Sequence, residues 1–436
     1  MTPGARIASA IEVLDKIENN YAPSEDIISS YIRGRRYIGS KDRKAVITLI
    51  FKVIRSKSRL DWLIGEPSSA RLRVLASLFL IDQVSVAEIN ACFSGIAYSP
   101  AKLSKDEREL LKILDLKEFM NEDYPLHVEV ETPKWLTKIL LNKWGENFKY
   151  EMSGLNEQAS IDLRVNTLKC NCTKAIEILK KDKIHTNSTN LSPIGLRVMD
   201  RTNLQSTTAY KAGFIEVQDE GSQIISALVD TKANIKTIDL CAGGGGKTLA
   251  LAAIMKDGGP LIACDTDFKR LKNIKPRIKR AGVTNVTIHH LTSENDKFYD
   301  IHKNSAERAL TDVPCSGSGS WRRAPMQKRK LSEKRLNSFI VVQKRILLQA
   351  SDLLVNGGRL IYSTCSVLPG ENENQIDWFI QERPNFKVLP IQSIWNKVFE
   401  MDLPPNTVEA SGYLSLTPKR HNTDGFFCAV LEKCNN

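Results

Sequence analysis

The sequence predicts an α/β protein with a doubly wound sheet over residues 231–436, a small α+β region over 126–230 and an all-helical region over 1–125. Three observations carry that prediction. Apolar residues recur at helical spacing through the first eighty residues, and β-branched runs alternate with helical stretches beyond residue 235. A glycine-rich turn joins the first of those runs to a helix.

In the first region Ile7, Ile11, Leu14 and Ile17 fall on one helical face, and Ile47, Leu49, Ile50, Val53 and Ile54 on another. Ser40 is the expected N-cap of the second helix. From residue 133 to about 229 short helices alternate with strand-like runs at 161–165 and 194–198, the texture of a small α+β domain. Beyond it, the runs 235–240, 261–264, 286–289 and 359–363 alternate with helices, as in a doubly wound parallel sheet. No internal repeat interrupts the pattern.

With 42% hydrophobic residues in 436, the chain can fill two or three cores. Its net charge is +12, and half of that excess lies in the first sixty residues, where twelve Lys/Arg face six Asp/Glu. The basic set Arg33, Arg35, Arg36, Lys41, Arg43, Lys44, Lys52 and Arg55 points to a phosphate-rich partner. Nine scattered cysteines suit a reducing cytoplasm better than a disulfide framework. Cys170 and Cys172 form an isolated C-x-C pair, so no metal is expected. The longest apolar run, residues 74–81, is far shorter than the ~18 residues of a membrane span. A soluble, cytoplasmic monomer is expected.

The run 235–240 leads directly into Cys241-Ala242-Gly243-Gly244-Gly245-Gly246-Lys247-Thr248. A phosphate-binding loop would need glycine where Cys241 stands, five residues before Gly246. A dinucleotide fingerprint fails as well, since Thr248 and Leu249 occupy the places of its last glycine. What fits is Asp239 at the strand end, Gly243 and Gly245 in the turn, and Asp265 at the next strand end, where a carboxylate can take both hydroxyls of a ribose. A nucleoside without phosphates is indicated. S-adenosylmethionine is such a ligand, its amino-acid end lying over the glycine turn.

Two cysteines complete the pattern. Cys315 in Asp312-Val313-Pro314-Cys315 and Cys365 in Ser363-Thr364-Cys365-Ser366 each follow an apolar run, so both are expected just past carboxyl ends of strands in one sheet. Carbon 5 of cytosine is too weak a nucleophile to attack a sulfonium methyl group unless a thiolate first adds at C6. A second ionisable group must then remove the C5 proton so that the thiol can leave.

On these motifs the C-terminal half resembles the RNA 5-methylcytosine methyltransferases, the family of the bacterial RsmB and eukaryotic Nop and NSUN proteins. The resemblance implies a Rossmann-like methyltransferase domain, with Cys365 as nucleophile, Cys315 for product release, and Asp312 and Lys247 beside the target base. It implies S-adenosylmethionine as cofactor, held by Asp239, Cys241, Ala242, Gly243, Gly245, Lys247, Asp265, Arg270 and Asp312. RNA contacts are expected at Arg164, Arg322, Arg323 and Lys328. The lead-in Gln218-Asp219-Glu220-Gly221-Ser222 and the closing Asp424-Gly425-Phe426-Phe427 extend the match. The first hundred residues resemble a NusB-type helical domain, which within the family points to 16S ribosomal RNA as substrate.

The chain departs from the family pattern at four places. Gly244 replaces a proline, Val313 an alanine, and Ala324-Pro325-Met326 an N-P-D run. After the run 286–289, where the family usually offers an aspartate to the adenine, this sequence gives Leu291-Thr292-Ser293-Glu294-Asn295-Asp296. Two other readings are weighed: a DNA cytosine-5 methyltransferase, whose nucleophile would be Cys315, and a catalytically inactive factor that binds ribosomal RNA during assembly.

Overall fold

The computed structural model describes residues 1–20, 22–35, 37–117, 119–120, 123–199 and 203–435. Arg36, one of the predicted basic residues, lies outside them. The chain forms two compact units, the first of residues 1–156 with 323–330, the second of residues 157–322 with 331–436.

The first unit is helical. Pro3–Glu18 is capped by Thr2, whose side chain accepts from the Ala5 amide at 3.2 Å. Ser40–Arg55 buries Val46, Leu49, Ile50, Val53 and Ile54 as its periodicity predicts. Its N-cap, however, is Gly39 in extended conformation, and Ser40 is the first helical residue, with no capping bond from the residue before it. Helices also continue past residue 125. Leu126–Glu129, Lys134–Trp144 and Phe148–Asn156 belong to this unit, as does the distant segment 323–330. Val128 and Met326 share one apolar core with the earlier helices. Glu131, 1% exposed, ties the pieces: it accepts from the Ser58 and Arg59 amides at 2.8 and 3.1 Å and from the Arg329 guanidinium at 2.7 Å.

The second unit holds two sheets. Strands β1 (Ile161–Val165), β2 (Thr186–Ser188), β3 (Gly195–Val198) and β4 (Ile215–Val217) form an antiparallel sheet in the order β2-β3-β1-β4. The larger sheet is built from β5 (Thr237–Asp239), β6 (Leu261–Asp265), β7 (Val286–His290), β8 (Ala306–Asp312), β9 (Leu354–Thr364), β10 (Phe386–Leu389), β11 (Leu414–Leu416) and β12 (Phe426–Lys433). Its order is β10-β12-β9-β8-β5-β6-β7, with β11 paired to β12.

The five strands from β7 to β9 are parallel, while β12 pairs antiparallel with β9 and β10 antiparallel with β12, so the sheet is mixed rather than wholly parallel. Every residue of β5 and β6 is buried, as expected for strands covered on both faces. Strand order reverses at β5, which lies between β6 and β8. In such sheets a crevice opens there, beyond the carboxyl ends of the strands.

Candidate active site

That crevice is a cleft of about 510 Å³, within the range of small-molecule sites. Its lining includes Cys241 and Ala242 after β5, Asp265 at the end of β6 and Asp267 beyond it, Leu291 and Glu294 after β7, Asp312 at the end of β8 and Cys315 beyond it, and Cys365 after β9. The structure thus brings both cysteines and most of the predicted cofactor residues to one place.

The turn after β5 is shaped by glycine. Gly243 and Gly245 have φ of +55° and +81°, a region costly for side-chain-bearing residues. A Cβ on Gly243 would stand 2.6 Å from an Arg270 guanidinium nitrogen, and one on Gly245 2.9 Å from Ile274. Gly245 precedes the helix Gly246–Ile254. Asp265 locks the turn: its carboxylate accepts from the Gly243 amide and from the Asp267 amide, each at 2.7 Å.

Asp239 is fully buried. One oxygen accepts from the Thr248 hydroxyl at 2.7 Å, and the other has no hydrogen-bond partner among the described residues. Burial, aided by the Asp312 charge and opposed by the Thr248 bond, pushes its pKa up to about 7. Burial likewise raises the Cys241 thiol, with the surrounding carboxylates adding to the effect.

Lys247 reaches Asp312 at 2.6 Å, and the Ser363 hydroxyl donates to the other Asp312 oxygen at 3.2 Å. Burial works against the Lys247 ammonium, but Asp312 outweighs it and holds the pKa above the ordinary value. Strand pairing sets Asp312 opposite Ser363, so the loops after β8 and β9 start level. Three residues past Asp312 and two past Ser363, the Cys315 and Cys365 sulfurs lie 3.4 Å apart. The contact with Cys365 and burial both hold the Cys315 thiol well above its ordinary range.

Other predicted contacts take internal roles. Arg164 is 2% exposed, donates to Gln218 at 2.6 Å, and loses basicity to burial, down to about 10. Arg322, 3% exposed, donates to Asp424 at 2.5 Å and to Asp219 at 3.4 Å, joining the family's lead-in to its closing motif. Lys328, 2% exposed within the helical unit, lies 3.4 Å from the Asn156 side-chain oxygen, and burial brings its pKa down to about 7. As RNA contacts these three are corrected: side chains so enclosed present no charge to a phosphate. Arg323 is partly exposed and belongs to the first unit.

The altered third motif also acquires a place. Asp296 accepts from the Thr292 amide and hydroxyl at 2.9 Å each and from the Phe298 amide at 2.9 Å, capping the helix Lys297–Ile301. Those bonds hold its carboxyl far below the usual range. Leu291, Ser293 and Glu294 face the cleft instead, and Gln349 and Arg345 brace Glu294.

Glu371, which no sequence motif singled out, lies under both cysteine loops. It is fully buried and accepts from the Ser316 amide at 2.8 Å and the Ser316 and Ser366 hydroxyls at 2.5 and 2.6 Å. The only signal in the sequence is the acid-amide run Glu371-Asn372-Glu373-Asn374 just after Cys365.

Residues 226–432 match the family model described as 16S rRNA methyltransferase RsmB/F, and residues 132–205 match the ferredoxin-like domain of RsmF/B-like methyltransferases. A probable ribosomal RNA small subunit methyltransferase B of Synechocystis is 29% identical, over 90% of this chain and 91% of its own. A human 28S rRNA (cytosine(4447)-C(5))-methyltransferase is 30% identical over 63% of this chain and 34% of its own. The solved structure of PH0851 is 26% identical, with a TM-score of 0.79 over 99% of both chains. The glycine turn, the paired cysteines and the two matched segments agree, and the chain belongs to the RsmB/F family of ribosomal RNA methyltransferases.

Proposed function

We propose that the protein methylates C5 of cytosine in small-subunit ribosomal RNA, with S-adenosylmethionine as methyl donor and Cys365 as covalent nucleophile. The observation that carries this reading is the 3.4 Å separation of the Cys315 and Cys365 sulfurs at the ends of neighbouring strands, beside the cleft.

The cleft suits that donor by its charge. Asp265, Asp267, Glu294 and Asp312 outnumber Arg270 and Arg345, which disfavours a polyphosphate and favours a ligand with an ammonium and a sulfonium group. Asp265 would take the ribose hydroxyls, and Leu291, Val313 and Ile346 offer an apolar wall to the adenine. The unpartnered oxygen of Asp239 marks a polar demand behind the turn. When bound, S-adenosylmethionine supplies an electrophilic methyl group.

The residues divide the remaining work. The Cys365 thiolate adds to C6 of the base, forming the S–C6 bond and moving electron density to C5. Asp312 and Lys247, held together at 2.6 Å, meet the polar edge of the ring and stabilise the charge that addition develops there. Once C5 carries the methyl group, its proton passes to the sulfur of Cys315, which has by then released its own thiol proton to solvent, and the C6–S bond breaks as the C5–C6 double bond re-forms, so that Cys365 leaves as a thiolate. Cys315 is suited to follow rather than lead. In the free protein, contact with the Cys365 sulfur and burial both favour the protonated form of Cys315.

Cys365→Ala should give neither methyl transfer nor a covalent complex. Cys315→Ala should methylate once and accumulate an enzyme–RNA adduct that survives denaturing electrophoresis and carries label from the methyl donor. An adduct that requires Cys315 and forms without Cys365 would assign the nucleophile as in the DNA enzymes. Bisulfite mapping of ribosomal RNA from cells with and without the gene locates the base.

A further inference from the structure

The residue that follows each active-site cysteine is a serine, and both serines hydrogen-bond to one carboxylate, that of Glu371. Its Oε1 accepts from the Ser316 amide at 2.8 Å and from Gln343 Nε2 at 3.1 Å. Its Oε2 accepts from the Ser316 and Ser366 hydroxyls at 2.5 and 2.6 Å. The two loops are fifty residues apart in sequence, and this carboxylate is a cross-link between them.

The surroundings hold Glu371 still. Tyr362, on β9, donates its hydroxyl to the Glu371 carbonyl at 2.6 Å. Gln343 also donates to the Pro314 carbonyl at 3.0 Å, gripping the loop on the other side of Cys315. Asn372 accepts from Thr364 at 2.6 Å and donates to the Ser366 carbonyl at 2.9 Å, so the neighbouring residue clamps both sides of Cys365. A fully buried carboxylate is costly for stability alone, and an apolar residue would fill the space at less expense. Its four donors come from the two cysteine loops and from the helix Glu333–Leu353 beside them, and the sulfurs they flank lie 3.4 Å apart.

We infer that Glu371 is a positioning residue that sets the separation of the Cys315 and Cys365 thiols, and so couples release of the product to addition. The inference rests on the covalent reading proposed above for the reaction, but the separation itself can be measured without it. Glu371 does not exchange a proton with the base. Its length and its acceptor oxygens matter, because both serines must be reached from one side chain.

Three variants test this. Glu371→Gln keeps length and hydrogen bonding, since the serine hydroxyls can turn to accept from the amide. Glu371→Asp keeps charge but is shorter by one carbon–carbon bond, about 1.5 Å. Glu371→Ala removes the link. The readout free of RNA and cofactor is capture of phenylarsine oxide, whose arsenic forms two As–S bonds to neighbouring thiols with loss of water, with Cys315→Ala as the blank. Wild type and Glu371→Gln should capture it at the Cys315–Cys365 pair, and Glu371→Asp and Glu371→Ala should not.

With RNA and methyl donor, the Asp and Ala variants should lose about a hundredfold in kcat, the cost of misplacing a reacting group by roughly 1 Å. KM should change little, and methylated adduct should accumulate as in Cys315→Ala. Glu371→Gln should recover turnover to within about tenfold of wild type. If Glu371→Ala does not fold, Glu371→Asp carries the test. Capture by the Asp variant equal to wild type would overturn the inference, and so would a Gln variant as impaired as Ala, which would make Glu371 a proton carrier. Absence of 5-methylcytosine and of adduct with wild-type enzyme would instead overturn the covalent reading, leaving the arsenical contrast to stand or fall alone.

Discussion

The turn after β5 and the loops after β8 and β9 border the same cleft and are held in different ways. The turn is backbone shaped by glycine, fastened by one carboxylate to the Gly243 amide, and it leaves an Asp239 oxygen unpartnered. The cysteine loops are fastened by side chains, with both oxygens of Glu371 and both polar atoms of the Asn372 amide engaged inside the protein. The difference follows from what each must do. A surface that receives a ligand keeps bonding capacity for it, whereas a pair of thiols proposed to act in sequence on one base needs its geometry fixed beforehand.

The largest effect that can break this comparison lies at Gly319. Its amide donates to the Cys365 carbonyl at 2.9 Å, its carbonyl accepts from the Gly425 amide at 2.8 Å, and an added Cβ would come within 2.0 Å of the Gly425 carbonyl oxygen. Backbone cannot yield as a side chain can. Gly319→Ala should cost at least ~3 kcal/mol, the upper range of overpacking, and abolish turnover. Thermal unfolding and methyl transfer check it, and a normal melting temperature would show the cysteine loops to be more compliant than described.

Next comes Asp265→Ala, which removes both the brace on Gly243 and the expected ribose contact. Cofactor affinity should fall by about 1.5–3 kcal/mol, as for hydrogen bonds to a charged group. Calorimetry with S-adenosylmethionine measures it, with Cys365→Ala as a control that should bind normally.

The third prediction concerns pH. The folded Asp239 pKa, about 7, exceeds the ordinary carboxyl value of 3.8, so the folded protein holds a proton that the unfolded chain releases. Stability from this group is full below about pH 4 and declines as pH rises to about 7. Between pH 6 and 8 the loss should be on the order of 1 kcal/mol, and Asp239→Asn should flatten that slope. Melting curves across this range decide it. The buried Lys328 contributes the opposite sign, losing stability as pH falls toward 7, so the Asn substitution is needed to isolate Asp239.

The smallest effect is at Gly243→Ala. The added Cβ would meet only the mobile end of Arg270, so the main cost is the positive φ, about 1–2 kcal/mol. Turnover should survive at saturating cofactor while KM for the cofactor rises. A loss of kcat as deep as at Gly319 would erase the distinction between the two sides of the cleft.

What was legible in the sequence follows the same division. Glycines at a strand end, a carboxylate one strand later and cysteines after apolar runs declare themselves, because local spacing places each of them. The burial of Val46 to Ile54 was readable for the same reason. Arg164, Arg322 and Lys328 were not, since a basic residue reads as surface until its enclosing partners, Gln218, Asp424 and Asn156, are brought from far along the chain. Glu371 was hidden similarly: its meaning lies in Ser316, fifty-five positions away. The antiparallel pairing of β12 with β9 and of β10 with β12 is pairing that no local period encodes.

The segment 323–330 carries a consequence for the order of synthesis. Arg329 bonds to Glu131 across 198 positions, and Met326 fills the core of the first unit. A ribosome releasing this chain from its N-terminus exposes residues 1–156 long before that segment emerges, so the helical unit cannot close its core until most of the catalytic unit has been translated. Nor is the helical unit a cassette that recombination could exchange by one crossover, because the eight residues that complete it are encoded inside the other unit. Any graft of a foreign N-terminal region would have to bring a matching 323–330 with it.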